Sequence, residues 1–186
     1  VTYGACCVDD FTASMLGAQL LVHYGHSCLV PTSVANRIDT IYVFVTIQFN
    51  IEACIQSVGS LVQSQDLDLK LKDGKGRVRI EEEKEEESFK EIVKVSLVST
   101  IQFANSLATI KQGLAAAESR KKIVVNIPRS KPLSNGEILG CTAPKVCDDV
   151  IIYVGDGRFH LEAMMMANPM IPAYRCVFIL KDLKDS

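Results

Sequence analysis

Residues 1–31 read VTYGACCVDDFTASMLGAQLLVHYGHSCLVP, and the fold is decided there. Asp9-Asp10 are N-cap residue types, so a helix is expected from about Phe11 to Leu16, stopped at Gly17. Gln19–Tyr24 is an apolar run that ends at Gly25-His26-Ser27-Cys28, which reads as a strand leaving into a loop. The whole is a strand–loop–helix–strand pattern. It carries three of the seven cysteines and two of the three histidines. Cys6 and Cys7 stand just before the expected helix start, where the helix dipole favours thiolate. A metal-binding or redox cysteine would be placed there.

Beyond Pro31, a polar connection leads to Ile41–Ile47, β-branched and aromatic, which reads as a buried strand. Ile51–Val62 is weakly helical, with apolar residues at Ile51, Cys54, Ile55, Val58 and Val62. Val93–Ile101 reads as a strand and Phe103–Ala117 as a helix with Phe103, Leu107, Ile110 and Leu114 on one face. Lys122–Ile127 and Val150–Val154 are further strands, and Leu161–Ala167 is a short helical turn stopped by Asn168-Pro169. Strands alternating with helices imply an α/β fold with a parallel sheet covered on both faces.

Between the two blocks the composition changes. Of the 29 positions from Asp66 to Lys94, 18 are charged. That segment is either an acidic docking element or a solvated insertion, partly helical or disordered. The expected organisation is a first α/β domain over 1–62, a charged linker over 63–92, a second α/β domain over 93–175 and a divergent tail over 176–186. A faint repeat links the blocks. Cys6, a strand and His26 are echoed by Cys141, a strand and His160, with separations of 20 and 19 residues. Both pairs would lie at strand ends, where open α/β sheets build their sites.

Composition narrows the function. A net charge of −2 and a pI near 5.9 make no electrostatic case for binding nucleic acid or a membrane surface. No apolar run approaches the roughly 20 residues of a membrane helix, and no signal-peptide pattern is present. An odd number of widely spread cysteines favours a reducing compartment, hence a cytoplasmic location, with thiols free or bound to metal.

The motifs are individually weak. No CxxC pair occurs, so any metal site must be assembled from distant segments, and ordinary buried thiols remain the alternative. Gly155-Asp156-Gly157-Arg158 lacks the third glycine of a dinucleotide fingerprint. It is either a polar-ligand loop or a tight turn with a local ion pair. His23, within an apolar strand, reads as a satisfied core histidine, whereas His26 just past the strand end is the better site candidate. Met164-Met165-Met166 reads as core filling. A Cys6/His26 hydrolase lacks an orienting third member.

Taken together, several stretches resemble one family. They are Tyr3–Asp10, Leu21–Pro31, Tyr42–Val45, Lys131–Ser134, Gly136–Thr142, Gly155–Glu162, Ala167–Pro169 and Pro172–Arg175. They are similar, in order, to subunit 1 of the 2-(3-amino-3-carboxypropyl)histidine synthases, which take the first step of diphthamide biosynthesis. The resemblance implies three similar α/β domains, each supplying one cysteine to a central 4Fe–4S cluster whose open iron takes S-adenosylmethionine. It also implies a radical transferase that moves the 3-amino-3-carboxypropyl group to a histidine of translation elongation factor 2. The implied partners are a sister subunit 2 in a heterodimer and an electron-donating iron protein with its reductase. Carried over by position, the metal ligands are Cys6 and Cys141. His26, Asp156, Arg158 and His160 fall in motifs near the substrate and cofactor site.

The chain departs from the pattern in three ways. The start of domain one and all of domain three, with the third ligand, are not in this sequence. The 66–94 insertion is not a family feature, and the sequence after Arg175 leaves the pattern. The chain alone is therefore expected to be inactive, and the competing reading is a non-catalytic remnant that only binds the sister subunit.

Overall fold

A computed structural model describes residues 7–27, 37–64, 67, 91–117 and 120–176. Helix α1 (Asp10–Met15) begins where expected, because Asp9 Oδ1 accepts from the Thr12 amide at 3.0 Å. Strands β1 (Leu20–Tyr24) and β2 (Asp39–Val43) follow, paired in parallel with Val22 opposite Ile41. Helix α2 (Ile51–Gln63) is capped by Asn50, whose Oδ1 accepts from the Ala53 amide at 3.0 Å.

The second half builds a four-stranded, all-parallel sheet. Its strands are β3 (Ile92–Ser99), β4 (Lys122–Asn126), β5 (Val150–Val154) and β6 (Ala173–Cys176), in the order β4-β3-β5-β6. A 3-10 turn (Ile101–Ser106), α3 (Leu107–Ala116) and α4 (Phe159–Ala167) connect them. β5 reads VIIYV and is buried at every position, as a strand covered on both faces should be. One face packs Val95, Leu97, Ile123, Val125 and Ile152 against Leu107, Ile110 and Leu114 of α3. The other packs Val98, Ile138, Ile151 and Tyr153 against Met164 of α4, so of the expected methionine core only Met164 is buried while Met166 is 80% exposed.

The expected first-domain boundary fails at α2. Its buried stripe, Cys54, Val58 and Val62, belongs to the core of the four-stranded sheet. The two helices approach closely: a Cβ at Gly113 of α3 would meet the end of the Ile55 side chain of α2, which would have to shift to make room. Among the described residues, α2 therefore shares its core with the second half of the chain.

Other expectations need correction. The strand expected over 41–47 spans Asp39–Val43 and is not buried, Ile41 being 50% exposed, because β1 and β2 pair with no third described strand. The turn expected at 161–167 is a nine-residue helix that starts at Phe159. The opening of the expected 103–117 helix is the 3-10 turn, although all four predicted inward residues are buried. Cys176, placed at the start of the tail, instead ends β6 with its side chain in the core. Cys6, Cys28, residues 177–186 and positions 68–90 of the charged segment lie outside the described residues.

Candidate functional site

Sheet order makes the site. The chain leaves β3 for β4 on one side and returns to β5 on the other, so the carboxyl ends of β3 and β5 diverge at a topological switch point. A cleft of about 290 Å³ opens there. Thr100, Gln102 and Phe103 reach it from β3, and Asp156 to His160 reach it from β5. His26, at the end of β1, supplies the wall from the smaller sheet.

Four of the residues singled out in sequence thus meet: His26, Asp156, Arg158 and His160 line one cleft. The rings of His26 and His160 pack edge-to-face with centroids 4.9 Å apart. Burial lowers the His26 pKa and nearby His23 lowers it further, against the opposing pull of the Glu137 carboxylate and the Gln102 side chain. Burial, then His26, lowers that of His160. Both imidazoles are therefore neutral at pH 7, and the Nδ1 atom of each is buried without a hydrogen-bond partner. His23 lies edge-on to Tyr42 at 5.3 Å, but its Nε2 is likewise unpartnered. The expectation of a satisfied core histidine fails, since among the described residues nothing offers that nitrogen an acceptor or donor.

The Gly155–Arg158 loop is a tight turn. Gly155 sits on the Tyr153 ring, where a Cβ would come within 2.5 Å of the phenol oxygen. The Tyr153 hydroxyl donates to the Asp156 carbonyl at 2.9 Å, and burial pushes its pKa up to about 12. Asp156 Oδ1 accepts from the Gly157 amide at 2.7 Å, and Arg175 of β6 donates to the Gly157 carbonyl at 3.2 Å. The local ion pair is Arg158–Glu162 at 3.3 Å, one helical turn apart, so Asp156 remains turned to its own loop.

Cys141 is exposed and stands on the turn closed by the Leu139–Thr142 hydrogen bonds. Gly140 faces His160, where a Cβ would lie 3.9 Å from Nδ1. The irregular run after Cys141 is clamped by buried Asn168. Its Oδ1 accepts from the Val146 amide at 2.9 Å, and its Nδ2 donates to the Pro144 and Met164 carbonyls at 2.9 and 3.0 Å. Cys147 is exposed. Cys54 and Cys176 are buried together; a thiol–thiol hydrogen bond, then burial, raises the Cys54 pKa, so these are core thiols. Among the described residues no group of three His, Cys, Asp or Glu converges as a metal site.

Sequence reasoning left Ser99, Gln102 and Glu137 without a role, yet each carries a buried unpartnered oxygen, that of Gln102 in the cleft lining and those of Ser99 and Glu137 buried outside it. The available signal was Glu137, one acid wedged between Gly136 and the apolar Ile138-Leu139.

The family model for diphthamide synthesis proteins matches residues 1–71 and 75–186, a span that includes the tail. The 2-(3-amino-3-carboxypropyl)histidine synthase subunit 1 of Dictyostelium discoideum is 42% identical over 185 residues, covering 94% of this chain and 32% of that protein. That of Homo sapiens is 44% identical over 178 residues, covering 94% and 33%. That of Nematostella vectensis is 47% identical over 176 residues, covering 94% and 31%. This chain spans about a third of the length of the curated relatives it matches. A crystal structure of Dph2 from Pyrococcus horikoshii has a similar fold, with a TM-score of 0.61 at 21% identity, covering 94% of this chain and 43% of that one. A structure of the same protein with a 4Fe-4S cluster gives 0.56 at 24%, covering 86% and 39%.

Proposed function

Since this chain belongs to the diphthamide synthesis protein family, we propose that it is part of the catalytic subunit of the synthase. The reaction is transfer of the 3-amino-3-carboxypropyl group from S-adenosylmethionine to a histidine of translation elongation factor 2. The observation that carries this reading is the convergence of His26 and His160, the two repeat-related histidines, on one cleft beside Cys141. Subunit 1, in the relatives' names, implies a sister subunit as partner. The electron-donating iron protein, its reductase and a cytoplasmic setting belong to the same proposal.

The donor chemistry fits an iron–sulfur ligand in part. Cys141 presents an exposed thiol next to Gly140, which faces His160 of the cleft, and the Thr142 hydroxyl lies 3.9 Å from its sulfur as a weak donor. Cys6, the other proposed ligand, is outside the described residues. A 4Fe–4S cluster held by them would supply the electron that breaks the carbon–sulfur bond of S-adenosylmethionine. The chain's own residues do the rest by positioning. Asn168 fixes the run that follows Cys141, Arg175 pins the Gly155–Arg158 loop, and neutral His26 and His160 add uncharged polar surface beside Asp156 and Arg158.

Anaerobic reconstitution of the full-length protein with its sister subunit, using iron and sulfide, tests the ligands. The iron–sulfur absorbance should fall in Cys141→Ala and Cys6→Ala and persist in Cys147→Ala; an unchanged spectrum in both ligand variants overturns the assignment. Mixing the chain with the sister subunit and assaying elongation factor 2 modification separates the catalytic reading from a binding-only role. Modification supports the first, and binding without modification supports the second.

A further inference from the structure

Below the cleft, Glu137 is 1% exposed. Its Oε2 accepts from the Ser134 amide at 3.1 Å, and its Oε1 is buried with no partner. The segment is strapped along the end of β3, with Ser99 N donating to the Gly136 carbonyl at 2.8 Å and Ile138 N to the Ser99 carbonyl at 2.9 Å. That pairing sets Glu137 beside Ser99, whose Oγ is also buried and unpartnered. Gln102 Oε1 and the Nδ1 atoms of His26 and His160 complete the set from the cleft wall. Native structures leave few such atoms, and here five gather in one region.

The Glu137 carboxylate is the charged group among them. Its oxygens and that of Gln102 only accept, whereas the Ser99 hydroxyl and each neutral imidazole can both donate and accept. Among the described residues no Lys or Arg lies within ion-pair distance of Glu137. A buried carboxylate in that state is costly unless a cation completes it. A water would bring two hydrogens and no charge, whereas a primary ammonium brings three and the missing positive charge.

We propose that Glu137, with Gln102 and Ser99, receives a primary ammonium group of the bound ligand, so that the cleft selects for an amino-acid moiety. The ligand identity rests on the reading above, in which S-adenosylmethionine carries that ammonium.

Calorimetric titration of the full chain with S-adenosylmethionine and with its desamino analogue tests the proposal. Glu137→Gln should weaken S-adenosylmethionine binding about tenfold or more and leave the desamino analogue unchanged. Gln102→Leu, at a half-buried position, should show the same selectivity with a smaller loss. Equal losses for both ligands, or none, overturn the ammonium pocket while leaving the proposed reaction standing. Should the unmodified chain, which lacks part of the expected cluster site, bind neither compound, the pocket is judged apart from the co-substrate. Saturation-transfer NMR with L-2-aminobutyrate then judges the pocket. A signal lost in Glu137→Gln upholds it, and no signal, or the same signal in both proteins, overturns it.

Discussion

The two sheets are made of the same kind of unit and behave differently. In the four-stranded sheet β5 is buried throughout, between α2 and α3 on one face and α4 on the other. In β1 and β2 the burial alternates, and Val22, Tyr24 and Ile41 are 44%, 67% and 50% exposed. Yet each sheet sends one histidine from a strand end into the shared cleft. The larger sheet anchors the site, and the smaller one contributes a wall to it. The contrast teaches that a site residue can be well positioned by a neighbour's core and poorly supported by its own.

The widest gap should appear in core truncations. Leu97→Ala, at a fully buried position, should cost about 2–5 kcal/mol in urea denaturation, against less than about 1 kcal/mol for Val22→Ala in the open sheet. Equal costs would mean that both sheets carry the global stability. Asn168→Ala removes three hydrogen bonds at a buried position and should cost about 1–3 kcal/mol, read as a lower thermal midpoint. Gly155→Ala forces a methyl onto the Tyr153 ring and should cost about 1–3 kcal/mol by the same measurement. Neither change touches β1 or β2, so amide exchange there should stay as it was.

The smallest effect is a pH dependence arising where the sheets meet. Burial holds the His26 and His160 pKa values below their ordinary 6.5, so the unfolded chain binds more protons than the native one just below that pH. The stability present above about pH 6.5 is therefore lost as pH falls toward the native values. The thermal midpoint should drop over that window, and His160→Gln should flatten the drop. An unaltered slope in that variant would place the titration elsewhere.

Much of this was legible in the chain. The Asp9 cap, the apolar run of β5 and the spacing of Phe103, Leu107, Ile110 and Leu114 are local signals, because capping and periodic burial act over a few residues. The family motifs and the Cys–His repeat pointed to His26, Cys141, Asp156 and His160. The sequence misled where a neighbour decides the outcome. Ile41–Ile47 looks buried, but a strand is buried only if layers cover it, and two described strands are not enough.

By itself the sequence determined the α/β class, most of the elements and the residues proposed to bear the chemistry, since those follow from local pattern and motif. Only the tertiary structure decided that α2 packs on the second sheet, and that His26 meets His160 at the divergence of β3 and β5. It alone revealed Glu137 as a buried acceptor without a cation. Those three facts depend on which distant segments share a desolvated space. No short stretch of Val1 to Ser186 encodes that on its own.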